Sequence, residues 1–197
     1  FGRAVVGEKH PYFISKRWAA LQRSAMHVRD VVGPERFFAV CYEELIADPE
    51  PTLRSLCEFL GIEFKPEMMN FHRSSGAQSA SGLSQLWENV DQPLMRNNSR
   101  KFLRSMSEEH IRICESVAGP ELDVLGYDRV FVDKGSERVF GPDEIEVFRT
   151  ENKRLKAEHR SQMDADDAAR RKHQLSVLTE RVQYLEQLET PQLVELL

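Results

Sequence analysis

The sequence predicts an α/β domain followed by a helical tail, on three observations. The run Arg36-Phe37-Phe38-Ala39-Val40-Cys41-Tyr42 is apolar on both faces and lies between Gly33-Pro34 and the acidic pair Glu43-Glu44, the pattern of a strand buried in a parallel sheet. A helical pattern follows it, so the pair makes half of a βαβ unit. Beyond Gly141-Pro142 charges dominate and no proline appears until Pro191, which marks a change of architecture. A lone strand needs partners, which are expected upstream of Phe1. The chain opens without an initiator Met inside what reads as an ordinary globular segment, and is read as a fragment.

The elements follow in order. Between Phe13 and Val32, Trp18, Leu21, Ala25, Met26 and Val28 fall near helical spacing, and Gly33-Pro34 stops the helix. After the strand, Asp48-Pro49-Glu50 starts a helix with Asp as cap and Pro in the first turn. Leu53, Leu56, Cys57 and Leu60 form its apolar stripe, and Gly61 closes it in the left-handed position. His72 to Ser84 is a small-residue stretch without periodicity, read as a connection. Its Arg73-Ser74-Ser75-Gly76 is no phosphate cradle, because it follows a helix rather than a strand. Ser107 caps the next helix, with Glu108 and Glu109 in a first turn that favours negative charge. Gly119-Pro120 is expected to break it, leaving a short turn to Gly126-Tyr127.

Three segments result: residues 1–133, a linker over 134–142 and a tail over 143–197. In the tail, Phe148, Asn152, Leu155 and His159 form one 3-4-3 seam, and Leu175, Leu178, Val182 and Leu185 a second, out of phase by two residues. One long helix is favoured over a hairpin near Met163 to Asp167, because Asp164 to Lys172 holds neither Gly nor Pro. The seams suit self-association with a second copy of the chain, or simply a solvated helix.

Composition excludes several classes of function. With 27 basic and 32 acidic residues the net charge is -5, and no large basic block exists to neutralise a nucleic-acid backbone. No apolar run approaches the roughly 20 residues a membrane-crossing helix needs. Cys41, Cys57 and Cys114 are far apart and odd in number, which favours buried thiols and a reducing, cytoplasmic setting. Neither cysteine nor histidine spacing suits a metal.

The stretch from Arg36 through Tyr42-Glu43-Glu44-Leu45 to Asp48-Pro49, then Phe59-Leu60-Gly61, resembles the sulfotransferases that use 3'-phosphoadenosine 5'-phosphosulfate (PAPS). The resemblance continues through Trp87 to Pro93, Lys101-Phe102-Leu103, Ser107-Glu108-Glu109 and Leu125-Gly126-Tyr127. It covers about Pro11 to Asp128, roughly the C-terminal half of that family's domain. It implies the C-terminal portion of a P-loop-type three-layer domain, moving a sulfuryl group from PAPS to an acceptor hydroxyl or amine and releasing PAP, with no metal.

By the same resemblance, Tyr42 at its strand end would contact the nucleotide, where open α/β sheets hold ligands. A core aromatic with a hydrogen-bonded hydroxyl is the plainer alternative. Gln85, Leu86 and Trp87 match the next nucleotide-binding segment, Trp87 being equally suited to a structural role. Lys101, a compact cation suited to phosphate, matches a nucleotide-contacting lysine, and Arg100 is a weaker candidate. Arg36 and Glu43 read as supports of the fold.

The family's phosphosulfate loop, the Arg and Ser that hold its 3'-phosphate and its catalytic base have no counterpart between Phe1 and Leu197, so the catalytic residue stays unassigned. The acceptor is open among carbohydrate, protein, lipid and small molecule. The competing reading is a non-catalytic oligomerisation or partner-binding module built on the C-terminal helix.

Overall fold

A computed structural model describes residues 7–83, 87–96 and 98–186. Among these the fold is helical, and no strand or sheet forms. The expected α/β architecture is therefore corrected. Residues 37–41 form no regular element and are extended at both ends, with φ, ψ of -134°, 117° at Phe37 and -78°, 123° at Cys41. Extended backbone becomes a strand only when a neighbour takes its N–H and C=O groups, and no described segment lies alongside. Phe38 packs on Phe59 at 5.2 Å instead, while Val40 faces out at 44% exposure.

The core lies between α1 (Pro11–Val32) and α6 (Glu108–Val124). Pro11 pre-sets the first turn of α1, and His10 caps it, its Nδ1 accepting from the Tyr12 N–H at 3.2 Å. Gly33 ends it at φ 84°, its N–H donating to the Arg29 carbonyl. The buried face differs from the expected stripe. Tyr12, Ser15 and Ala19 point inward, whereas Leu21 and Val28 are exposed. Ala19, 1% exposed, and Ser15 are small, so α6 can approach closely with Ile111, Glu115 and Ala118.

Ser107 caps α6 as expected, accepting from the His110 N–H at 3.2 Å. Gly119-Pro120 does not break it. Proline removes one main-chain donor, yet the last turn is held from both sides: Arg23 of α1 pairs with buried Glu121, and Arg129 grips Asp123 at 2.7 and 2.9 Å. Gly119 leaves room there for Arg129, since a Cβ would lie 2.8 Å from the guanidinium and force it to shift. Arg129 also pairs with Glu137 at 2.5 Å, and this contact holds the Glu137 carboxyl down to about 2.

Glu115 then fixes the chain that leaves α6. Its buried carboxylate accepts the N–H groups of Val130, Phe131 and Val132 at 2.6, 2.9 and 2.8 Å. A buried carboxylate is costly unless its oxygens are filled, and three amides fill these. Arg112 adds a bond to the Phe131 carbonyl at 2.7 Å and lies over the Phe131 ring.

On the other side, α2 (Tyr42–Ala47) and α3 (Pro49–Leu60) meet at Asp48, burying Ile46, Pro49 and Cys57. Gly61 at φ 66° ends α3 with its own N–H and that of Ile62 returned to the last turn. A run of tight helical turns, Pro66–Arg73, leads to α4 (Ser75–Ser81), which falls in the stretch read from sequence as a connection. Ser74 caps α4 by accepting from the Ala77 N–H at 3.1 Å, a local signal hidden among small residues.

Of the tail, α7 (Pro142–Ser161) returns to the start of α1. Buried Asn152 accepts the N–H groups of Lys9 and His10 at 2.7 and 3.0 Å and donates to Glu8. Phe148 stacks on His10 at 4.4 Å. Two members of the first predicted seam therefore pack on the chain's own N-terminal side. The helix stops at Ser161 and resumes as α8 (Ala165–Glu186), with Asp164 accepting from the Asp166 N–H at 3.0 Å, so the expected single long helix is interrupted. Of the second seam, Leu178 and Val182 are 61% and 52% exposed. The side chains of Leu175 and Leu185 lie outside the described ones.

Candidate functional site

Tyr42 is the first residue of α2 rather than the end of a strand. Glu43 and Glu44 complete that first turn, where carboxylates meet the positive end of the helix. The approach to α2 is fixed by Glu43, whose Oε2 accepts from the Cys41 thiol at 3.5 Å and the Tyr127 hydroxyl at 3.4 Å. Burial, and then the Glu43 charge beside it, pushes the Tyr127 phenol up, so it stays protonated and donating. Trp18 of α1 meets the Tyr127 ring at 6.2 Å. The Glu43 and Tyr127 of two separate sequence motifs thus form one contact that orients Tyr42.

The Tyr42 hydroxyl accepts from Asn98 Nδ2 at 2.5 Å, across 56 residues. Asn98 Oδ1 is buried without a hydrogen-bond partner among the described residues. Tyr42 itself is 44% exposed, so its ring is not a core aromatic. Two and three residues beyond Asn98 stand Arg100 and Lys101. Arg100 has a φ of 53°, unusual for a residue with a side chain, and Lys101 is the N-terminal cap position of α5 (Phe102–Ser105). Both side chains are exposed, as are those of Arg96 and Arg104, and no acidic residue lies between 96 and 104.

This is a cationic stretch in a chain of net charge -5, pinned to α2 through Asn98. It can hold an anion by point charges from Lys and Arg. Trp87 is 53% exposed. Gln85 and Leu86 lie outside the described residues. The structure therefore joins Tyr42 to the 98–101 stretch that carries Arg100 and Lys101. Sequence reading missed Asn98, whose only signal is its partner's distance in the fold. No group of three or more His, Cys, Asp or Glu among the described residues is placed to hold a metal. No described helix is long and apolar enough to cross a membrane.

Comparison with known proteins finds similarity to one class. Residues 2–66, which hold α1, α2 and α3, match the family model described as the sulfotransferase family. Among its relatives is Protein-tyrosine sulfotransferase A of Caenorhabditis elegans, 27% identical over 138 residues, covering 69% of this chain and 35% of that protein. A Caenorhabditis briggsae protein provisionally named as a protein-tyrosine sulfotransferase is 27% identical over 122 residues, covering 59% of this chain and 41% of its own. The chain thus spans 35% to 41% of the length of these curated relatives. No solved structure matches it.

Proposed function

We propose that the protein is a PAPS-dependent sulfotransferase and that this chain supplies one wall of its donor site. The observation that carries the reading is the Tyr42–Asn98 hydrogen bond, which draws a helix from the family-matched segment against the exposed cations Arg100, Lys101 and Arg104. Tyr42 and Asn98 would position the nucleotide, while Lys101 and Arg100 would neutralise its phosphates. By the family resemblance alone, Gln85, Leu86 and Trp87 are proposed as further nucleotide contacts. In the reaction the sulfur–oxygen bond to the donor phosphate breaks as a bond from sulfur to the acceptor oxygen or nitrogen forms. PAP leaves, and the acceptor proton passes to a base. As in phosphoryl transfer, protein groups act by alignment and by stabilising charge.

The relatives carry protein-tyrosine sulfotransferase names, which supports a tyrosine hydroxyl as acceptor. Three unpaired thiols support a reducing, cytoplasmic setting. The test is transfer of labelled sulfate from PAPS to a tyrosine-containing peptide by the protein expressed from its native gene. Labelled peptide is the expected product, and its absence with any of a panel of acceptors would remove the enzymatic reading.

A second reading, self-association through the tail, rests on α8, where Val177, Leu178 and Val182 are half or more exposed. Sedimentation at micromolar concentration tests it. A dimer that Leu178→Glu dissolves supports assembly, and a monomer discards it.

A further inference from the structure

One face of α2 lies beside a cavity that the donor-site reading leaves unused. It has a volume of about 580 Å³ and opens between α2, α3, the Pro66–Arg73 turns and the segment before Asn98. That volume is within the range of small-molecule sites. Leu45, Leu53, Met68 and Leu94 make most of the wall, and Arg96 and His72 stand in it. Arg96 has no hydrogen-bond or ion-pair partner among the described residues. An apolar hollow with one cation unpartnered among the described residues suits a flat apolar group bearing an anionic substituent. Position ties it to the donor wall, since Leu45 is one turn along α2 from Tyr42, and Arg96 is two residues before Asn98.

We propose that this cavity is a binding site for an aryl anion, separate from the nucleotide contacts at Tyr42 and Lys101. The apolar walls take the ring, and Arg96 pairs with the charge.

The experiment is calorimetric titration of the protein expressed from its native gene with naphthalene-2-sulfonate and, separately, neutral 2-naphthol. Saturable binding at one site is expected for the sulfonate. Arg96→Gln is expected to weaken the sulfonate about tenfold or more while leaving 2-naphthol within about twofold. Leu53→Trp, which fills the hollow, should abolish both, and Leu94→Trp serves the same end if the first variant fails to fold. Saturating PAP should not displace the sulfonate. The proposal is overturned by an absence of saturable binding, by sulfonate binding that survives both Arg96→Gln and a folded cavity-filling variant, or by displacement with PAP, which would assign the hollow to the nucleotide instead.

Discussion

Glu115 shows how much one buried side chain decides. It gathers three consecutive amides that otherwise have no acceptor, and an unpaired buried donor costs about 1–3 kcal/mol. Glu115→Ala is therefore expected to lower unfolding free energy by at least about 2 kcal/mol in urea titrations. At Gly119 the neighbour is the Arg129 guanidinium, locked on both sides by carboxylates, and Gly119→Ala should cost about 1–3 kcal/mol through that clash.

His10 gives a pH dependence with a definite sign. Burial, and then the charge of His110, holds its imidazole below the ordinary histidine range, against weaker opposing pull from Glu151 and Glu109. A folded value below the unfolded one means the fold prefers the neutral ring. That contribution is fully present above pH of about 6.5 and is lost as pH falls below it. Protonation also removes the Nδ1 acceptor that caps α1. Melting temperature should thus fall more between pH 7.5 and 5.5 in the native protein than in His10→Asn, which keeps a capping oxygen. Equal slopes would show that His10 does not carry the effect.

At the scale of elements, ends were more legible than partners. Gly33, Gly61 and Ser107 stop or start helices by local chemistry, and the structure places those boundaries where the residues dictate. Pro120 misled because the forces that carry α6 past it come from Arg23 and Arg129, both remote in sequence. The apolar run at 36–42 misled for the same kind of reason: a strand is a relation between segments, whereas alternation and burial are written in one. The seam of α7 was visible as a period but not as an address. Periodicity says that a face is covered, and Phe148 and Asn152 are covered by residues 8–10 of the same chain. Phe148→Ala should therefore cost about 2–4 kcal/mol and release α7. Limited proteolysis would then cut between 133 and 141 faster than in the native protein, and unchanged cleavage would argue that α7 is held elsewhere.

For the whole molecule, charge distribution matters more than net charge. A chain of net charge -5 concentrates Arg96, Arg100, Lys101 and Arg104 in nine residues without an acid and ties them to the family-matched helix through Asn98. The sequence motifs suggest Tyr42 and Lys101 separately, but the tie between Tyr42 and the stretch that carries Lys101 runs through Asn98, which only a folded chain brings to it. The most direct test of the donor-wall assignment is equilibrium binding of PAP to the protein expressed from its native gene, with Lys101→Ala and Tyr42→Phe beside it. The account predicts saturable binding, weakened about tenfold or more by Lys101→Ala and about threefold or more by Tyr42→Phe, with both variants melting as the native protein does. PAP binding that is absent, or that Lys101→Ala leaves unchanged, would contradict it.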